Sequence, residues 1–210
     1  MKYYKVVILL LFVLSISCSK EDYLLEQVTD SVRGKYTCVS MIWNGEPIDL
    51  DGDGTCQTNL MNEFSTFENA QLALARPVRV YPVDAYDKEC PFTLEIPTQA
   101  IRYKKATEEY VLLNSLFGDA IYIYFSYAVH NDGSLSYSTL NDQMDSSRYR
   151  EGDWEIDNVD YLYTQGDCVL SLKDGVLSVR IIGVYYDFLT EKLVTGPVDL
   201  VYERVSFSVN

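Results

Sequence analysis

The sequence predicts an all-β domain, an antiparallel meander closing into a barrel or sandwich, with one short helix near residues 58–68. Three observations carry this. β-Branched and aromatic runs recur along the chain with a period of two, turn dipeptides separate them, and only one stretch has helical spacing. Gly34 to Trp43 is the first strand candidate. Thr58 to Glu68 is the helix, with Leu60, Met61, Phe64 and Phe67 on one face and Asn and Glu opposite. Ala70–Tyr81, Phe92–Ile96, Ala100–Lys104 and Tyr110–Leu113 follow as short strands, with Pro77, Pro82, Pro91 and Pro97 confining some to edges or ends. In Ile121–Val129, the residues Ile121, Ile123, Phe125, Tyr127 and Val129 share one face and Tyr122 and Tyr124 the other. Asp174-Gly175 joins Cys168–Lys173 to Val176–Tyr186 as a two-residue hairpin, and Asn131-Asp132-Gly133 turns the Tyr-rich strand into Ser134–Ser138. Val198–Val205 is the last strand.

Composition narrows the function classes. The 210 residues are 48% hydrophobic and 23% charged, as in an ordinary folded chain. A net charge of −14 argues against nucleic acid as a partner, because phosphate binding needs clustered Lys and Arg. The single histidine, His130, sits beside a turn, and no Gly-x-Ser-x-Gly elbow occurs, so the chain reads as non-enzymatic.

The first 17 residues read as a signal peptide: basic Lys2 and Lys5, then an apolar run from Val6 to Leu14 too short to span a bilayer. That run ends in Leu14-Ser15-Ile16-Ser17-Cys18, which resembles the lipobox of bacterial lipoproteins. The resemblance implies acylation of the Cys18 thiol and cleavage before it, hence a membrane partner through an N-terminal lipid anchor. Ser19-Lys20-Glu21-Asp22 resembles the acidic export signal of Bacteroidota-type surface lipoproteins. The expected location is the cell envelope, as an outer-membrane lipoprotein facing the periplasm or the surface. Residues 18–31 read as the tether and 32–210 as one β domain. Cleavage removes Lys2 and Lys5 and no acid, leaving 15 basic and 31 acidic side chains, a net −16.

Gly34-Lys35-Tyr36 opening the domain, a helix-containing segment after it, and hairpins from Gly166 to Val205 are together similar to the lipocalin-like domains of envelope lipoproteins. That resemblance implies a barrel holding a small apolar or amphipathic ligand.

Three residue sets are candidate sites. Asp49-Leu50-Asp51-Gly52-Asp53-Gly54-Thr55 resembles the opening half of an EF-hand or dockerin calcium loop. Acids at alternate positions on a Gly-turned loop can converge on a hard cation, with Thr55 and Gln57 as further oxygen donors and calcium in a structural role. Leu60 stands where an EF-hand places its bidentate Glu, and the first acid beyond is Glu63. A metal-free Asp/Gly turn fits the same residues. The second set is four cysteines beyond Cys18, an even number in an oxidising compartment, which suggests two disulfides in one of three pairings, with Cys56–Cys90 and Cys38–Cys168 the expected one, while free buried thiols fit the same residues. The third is tyrosine, 18 residues against 8 Phe and 2 Trp. Tyr122, Tyr124 and Tyr127 are candidates to line a ligand pocket, or to contact another envelope protein or a glycan from an exposed sheet face.

Overall fold

The computed structural model describes residues 25–83, 89–99, 101–104, 107, 109–112, 119–130, 132–139 and 168–209. Cys18 and the leader lie outside the described residues. The architecture is antiparallel β, as the sequence predicts. Its elements are α1 (residues 25–32), β1 (Gly34–Trp43), α2 (Leu60–Glu63) with a 3-10 turn over Phe64–Thr66, α3 (Glu68–Ala75), β2 (Val78–Val80), β3 (Glu89–Thr98), β4 (Ile101–Lys104), β5 (Glu109–Leu112), β6 (Asp119–Val129), β7 (Leu135–Thr139), β8 (Val169–Lys173), β9 (Val176–Asp187) and β10 (Lys192–Ser206).

Five strands in the order β2-β1-β10-β9-β8 form a strongly curled half-barrel, and β3-β6-β7 form a second sheet. β4 and β5 make a separate hairpin. The curl has local causes. β1 slips register between Lys35 and Tyr36 and again between Cys38 and Ser40, and each slip bends and twists the pair. On the other side of β10, Gly196 stands directly across from Gly183. A Cβ at Gly196 would lie 2.8 Å from the Trp43 ring, and one at Gly183 would lie 2.7 Å from the Tyr185 ring. The two bare backbones therefore leave the space that these rings occupy, packed edge to face at 5.8 Å.

The β8–β9 hairpin turns at Asp174 and Gly175, both with positive φ (53° and 79°), the twist a two-residue turn needs. Ile123, Phe125 and Tyr127 of β6 are buried while Tyr122 and Tyr124 are exposed, so the alternation expected of this strand holds. Both inner sheet faces, with residues from all three helices, contribute to one continuous apolar core.

Two seams close the half-barrel onto the second sheet. β2 lies beside β3, and the Tyr127 hydroxyl of β6 donates to the Tyr81 carbonyl just past β2 at 2.5 Å. At the opposite edge the Tyr137 hydroxyl of β7 donates to the Leu172 carbonyl of β8 at 3.0 Å and accepts the Leu172 N–H at 3.2 Å. One phenol thus occupies both outward backbone groups of an edge-strand residue. At the far end of β3, Gln99 is buried. Its amide donates to the carbonyls of Leu50 and Tyr186, both at 2.8 Å, and accepts the Tyr186 N–H at 2.7 Å.

Three expectations are corrected. The helix expected near residues 58–68 is present as α2 and its 3-10 turn but is interrupted at the extended Phe67, and the strand expected from Ala70 is α3 as far as Ala75. Ala70, Ala73 and Leu74 are buried at helical spacing in a segment of good helix formers, and Pro77 ends the helix so that only Val78–Val80 is strand. Part of the expected tether, residues 25–32, is helix α1, whose Leu25, Thr29 and Val32 turn toward the core.

The third correction is that neither expected disulfide forms. Cys38 is on β1 and Cys168 precedes β8, three strand spacings or about 14 Å across the sheet, beyond the reach of an S–S bond. Gln99 touches Leu50 beside the acidic loop that contains Cys56. Cys90 lies nine residues back along β3, roughly 30 Å away. The Cys38 thiol is buried and donates to the Ser40 carbonyl at 3.5 Å, and burial pushes it up to about 11.

Gly196→Ala should drive a methyl into the Trp43 ring and cost about 1–3 kcal/mol, read as a lowered urea midpoint. Val39→Ala, at an exposed position on the same sheet, should stay within about 0.5 kcal/mol of the parent.

Candidate functional site

The loop between β1 and α2 is built on Asp49. Its backbone is fixed first: the Asp49 N–H donates to Asp187 Oδ1 at 3.0 Å, and its carbonyl accepts the Phe188 N–H at 2.9 Å. Ile48 and Gln57 pair backbone to backbone and close the loop at its neck. The Asp49 side chain, 2% exposed, then organises the turn, with Oδ1 accepting the Gly52 N–H at 2.7 Å and Oδ2 the Gly54 N–H at 2.9 Å. Gly52 and Gly54 have φ of 76° and 83°, so the left-handed bends need glycine there. Asp51 accepts from the Asp53 N–H at 3.1 Å and from the Thr66 hydroxyl at 3.1 Å, while Asp53 accepts the Thr55 N–H at 2.6 Å.

Helix α2 brings a further acid to the loop. Glu63 is buried, and its Oε2 accepts the Leu50 N–H at 2.8 Å. Asp49, Asp51 and Glu63 each offer an oxygen within 4.8 Å of the other two. Burial pushes Glu63 up to about 7, reinforced by the charges of Asp51, Asp49 and Asp53 and opposed by the Leu50 N–H. Burial, followed by the carboxylates of Asp187, Asp49, Glu63 and Asp53, also raises the Cys56 thiol, which disfavours a reactive thiolate.

Of the five residues singled out as calcium donors, the structure brings Asp49 and Asp51 together. Asp53 stands outside that carboxylate triplet, Thr55 is exposed, and the Gln57 side chain accepts from the Asn62 amide at 2.8 Å. Glu63 takes the acidic position that the sequence motif lacks, and only folding of the helix onto the loop reveals this. Asp187, which holds the loop backbone from 138 residues away, left no local signal. Clustered oxygens around a raised carboxylate suit a hard cation such as calcium, which would relieve the repulsion that the Glu63 proton otherwise relieves.

The tyrosine candidates divide between two surfaces. Tyr127 points into the core, while Tyr122 and Tyr124 face outward, 37% and 48% exposed. Tyr122 lies opposite Glu95 in the β3–β6 ladder, and Glu95 is paired with Arg76 at 2.7 Å. His130 is exposed in the turn after β6, where its N–H donates to the Ser134 carbonyl. Comparison with protein-family models, with curated proteins and with solved structures gives no match to this chain.

The raised Glu63 carboxyl sets a pH dependence. The folded chain holds this proton more tightly than the unfolded chain, so it binds more protons between the ordinary value of 4.5 and about 7. Stability should fall as pH rises through that window and level off above it. In chelator, the urea midpoint should therefore be higher at about pH 5 than at about pH 7.5. Excess calcium at the higher pH should restore it, and Glu63→Gln should flatten both responses. A midpoint indifferent to pH and calcium in the parent would contradict this account of the loop.

Proposed function

We propose that this chain is a non-catalytic, lipid-anchored envelope protein whose β domain is a surface interaction module, contacting another envelope protein or a glycan through its exposed tyrosines. In this reading Cys18 carries the acyl chains, the domain stands at the outer membrane, and calcium is a structural staple in the Asp49 loop.

The observation that favours a module over a carrier of small apolar ligands is the filling of the half-barrel's concave face. Trp43, Tyr185, Phe64 and Phe67 form a chain of edge-to-face ring contacts there, at 5.8, 6.2 and 6.2 Å. Tyr36 and Met41 of β1 are fully buried in the same core. Among the described residues, these side chains lie on the face where a lipocalin holds its ligand. Tyr122 and Tyr124 meanwhile offer flat apolar rings with polar tips on the outer sheet face, a chemistry suited to sugar rings and protein surfaces.

Native mass spectrometry of the mature protein should give the acylated polypeptide, with calcium as the only further mass and that lost to chelator. A photo-cross-linker at Tyr124 should form a discrete adduct in the intact envelope that one at Val39, exposed on the other sheet, does not form. An organic mass released on denaturation, with no adduct specific to Tyr124, would overturn this reading in favour of the carrier.

A further inference from the structure

The two ends of the half-barrel differ in charge, and helix α1, which follows the tether, ends at one of them. Strand register puts Gly34, Val80, the Asp174-Gly175 turn and Ser206 at one end, and Trp43, the Asp49 loop and the β9–β10 turn at the other. The second end is acidic: Glu46, Asp49, Asp51, Asp53, Glu63, Asp187 and Glu191 gather there with Lys192.

At the first end, Lys173 stands opposite Val176 and Lys35 opposite Arg79, while β10 places Glu203 opposite Val176, Ser206 opposite Lys35 and Val205 between these two positions. Beyond it Phe207 is 62% exposed, with the Arg204 guanidinium 4.1 Å from its ring centroid. The same guanidinium donates to the Ser31 carbonyl at 2.7 Å, so Phe207 sits beside the last turn of α1. Val205 is likewise 62% exposed.

We propose that this end, centred on Phe207 and Val205, is a bilayer-contact face that lies on the phospholipid surface into which Cys18 is anchored. The inference rests on the lipid-anchor reading above and adds an orientation to it. Chain length argues for this occupant. Seven residue steps separate Cys18 from Leu25, at most about 25 Å of extended chain, and α1 ends against Arg204. With α1 itself adding about 12 Å, the anchor lies within roughly 37 Å of this end, which lets the end rest on the bilayer. Its chemistry fits as well, because an aromatic ring backed by a guanidinium, with valines flanked by Lys and Arg, matches the apolar-to-phosphate boundary of a bilayer. The contact would turn the acidic end away from anionic headgroups, which resolves the repulsion that the cleaved chain, at net −16, would otherwise meet.

The test uses the full acylated protein in phosphatidylethanolamine–phosphatidylglycerol vesicles containing brominated lipid. Phe207→Trp and Val205→Trp each report at the proposed face, and Leu189→Trp, 62% exposed at the acidic end, is the comparison. Emission is read as the difference from the parent. At residue 207 or 205 the added emission should lose about half its intensity and shift to the blue, and at 189 it should be unchanged. Acylated protein with unquenched 207 and 205, or with 189 quenched equally, would overturn the orientation and leave the anchor standing. A Cys18 peptide without acyl mass would overturn both.

Discussion

A curled five-stranded sheet leaves two edges and one apolar face to be covered, and the rest of this structure depends on how those edges close. Two tyrosine hydroxyls close them, one from the middle strand of the second sheet and one from its edge strand β7. Tyr127 reaches the backbone beyond β2, and Tyr137 occupies the N–H and C=O of Leu172 on β8. An unpaired strand edge invites another chain, and an unmatched buried backbone group is costly, so one phenol that answers both groups does the work of a ladder rung. Burial raises both phenols above their ordinary value, which keeps them neutral and able to donate.

Closure ties the core to the loop. With the sheets face to face, the paired glycines of β9 and β10 admit Trp43 and Tyr185, and the ring chain through Phe64 and Phe67 packs the helices into the concavity. Phe64 follows directly on α2, so the packing that fills the barrel also delivers Glu63 to the Asp49 loop. Gln99 and Asp187 lock that loop to the second sheet and to β9. The aromatic packing and the acidic cluster thus have one origin.

Features with a local cause were legible in the sequence. The Asp174-Gly175 turn, the alternation of β6 and the first strand from Gly34 each follow from a few adjacent residues. The Asp49–Thr55 motif was legible as a loop for the same reason. Glu63 was visible as the next acid, though not that helix packing would bring it to the loop, and what the sequence hid depends on partners far along the chain: Asp187 from 138 residues away and Gln99 from 49. The tyrosine excess was visible, but a phenol used as a seam and one used as a contact surface have the same local pattern. Ala70–Ala75 was misread because alternating Ala and Leu fit either period, and only burial of Ala70, Ala73 and Leu74 on one side decides for the helix. The even cysteine count misled because parity carries no distance.

The central claim is that tyrosine hydroxyls hold the sheets together, and urea unfolding of Tyr127→Phe and Tyr137→Phe beside Tyr124→Phe tests it most directly. Loss of either seam hydroxyl leaves part-buried backbone groups without that partner and should cost about 0.5–1.5 kcal/mol. The exposed Tyr124 change should cost no more than about 0.5 kcal/mol. Three variants with the same stability as the parent would contradict the account, because the sheets would then be held without the tyrosine hydroxyls.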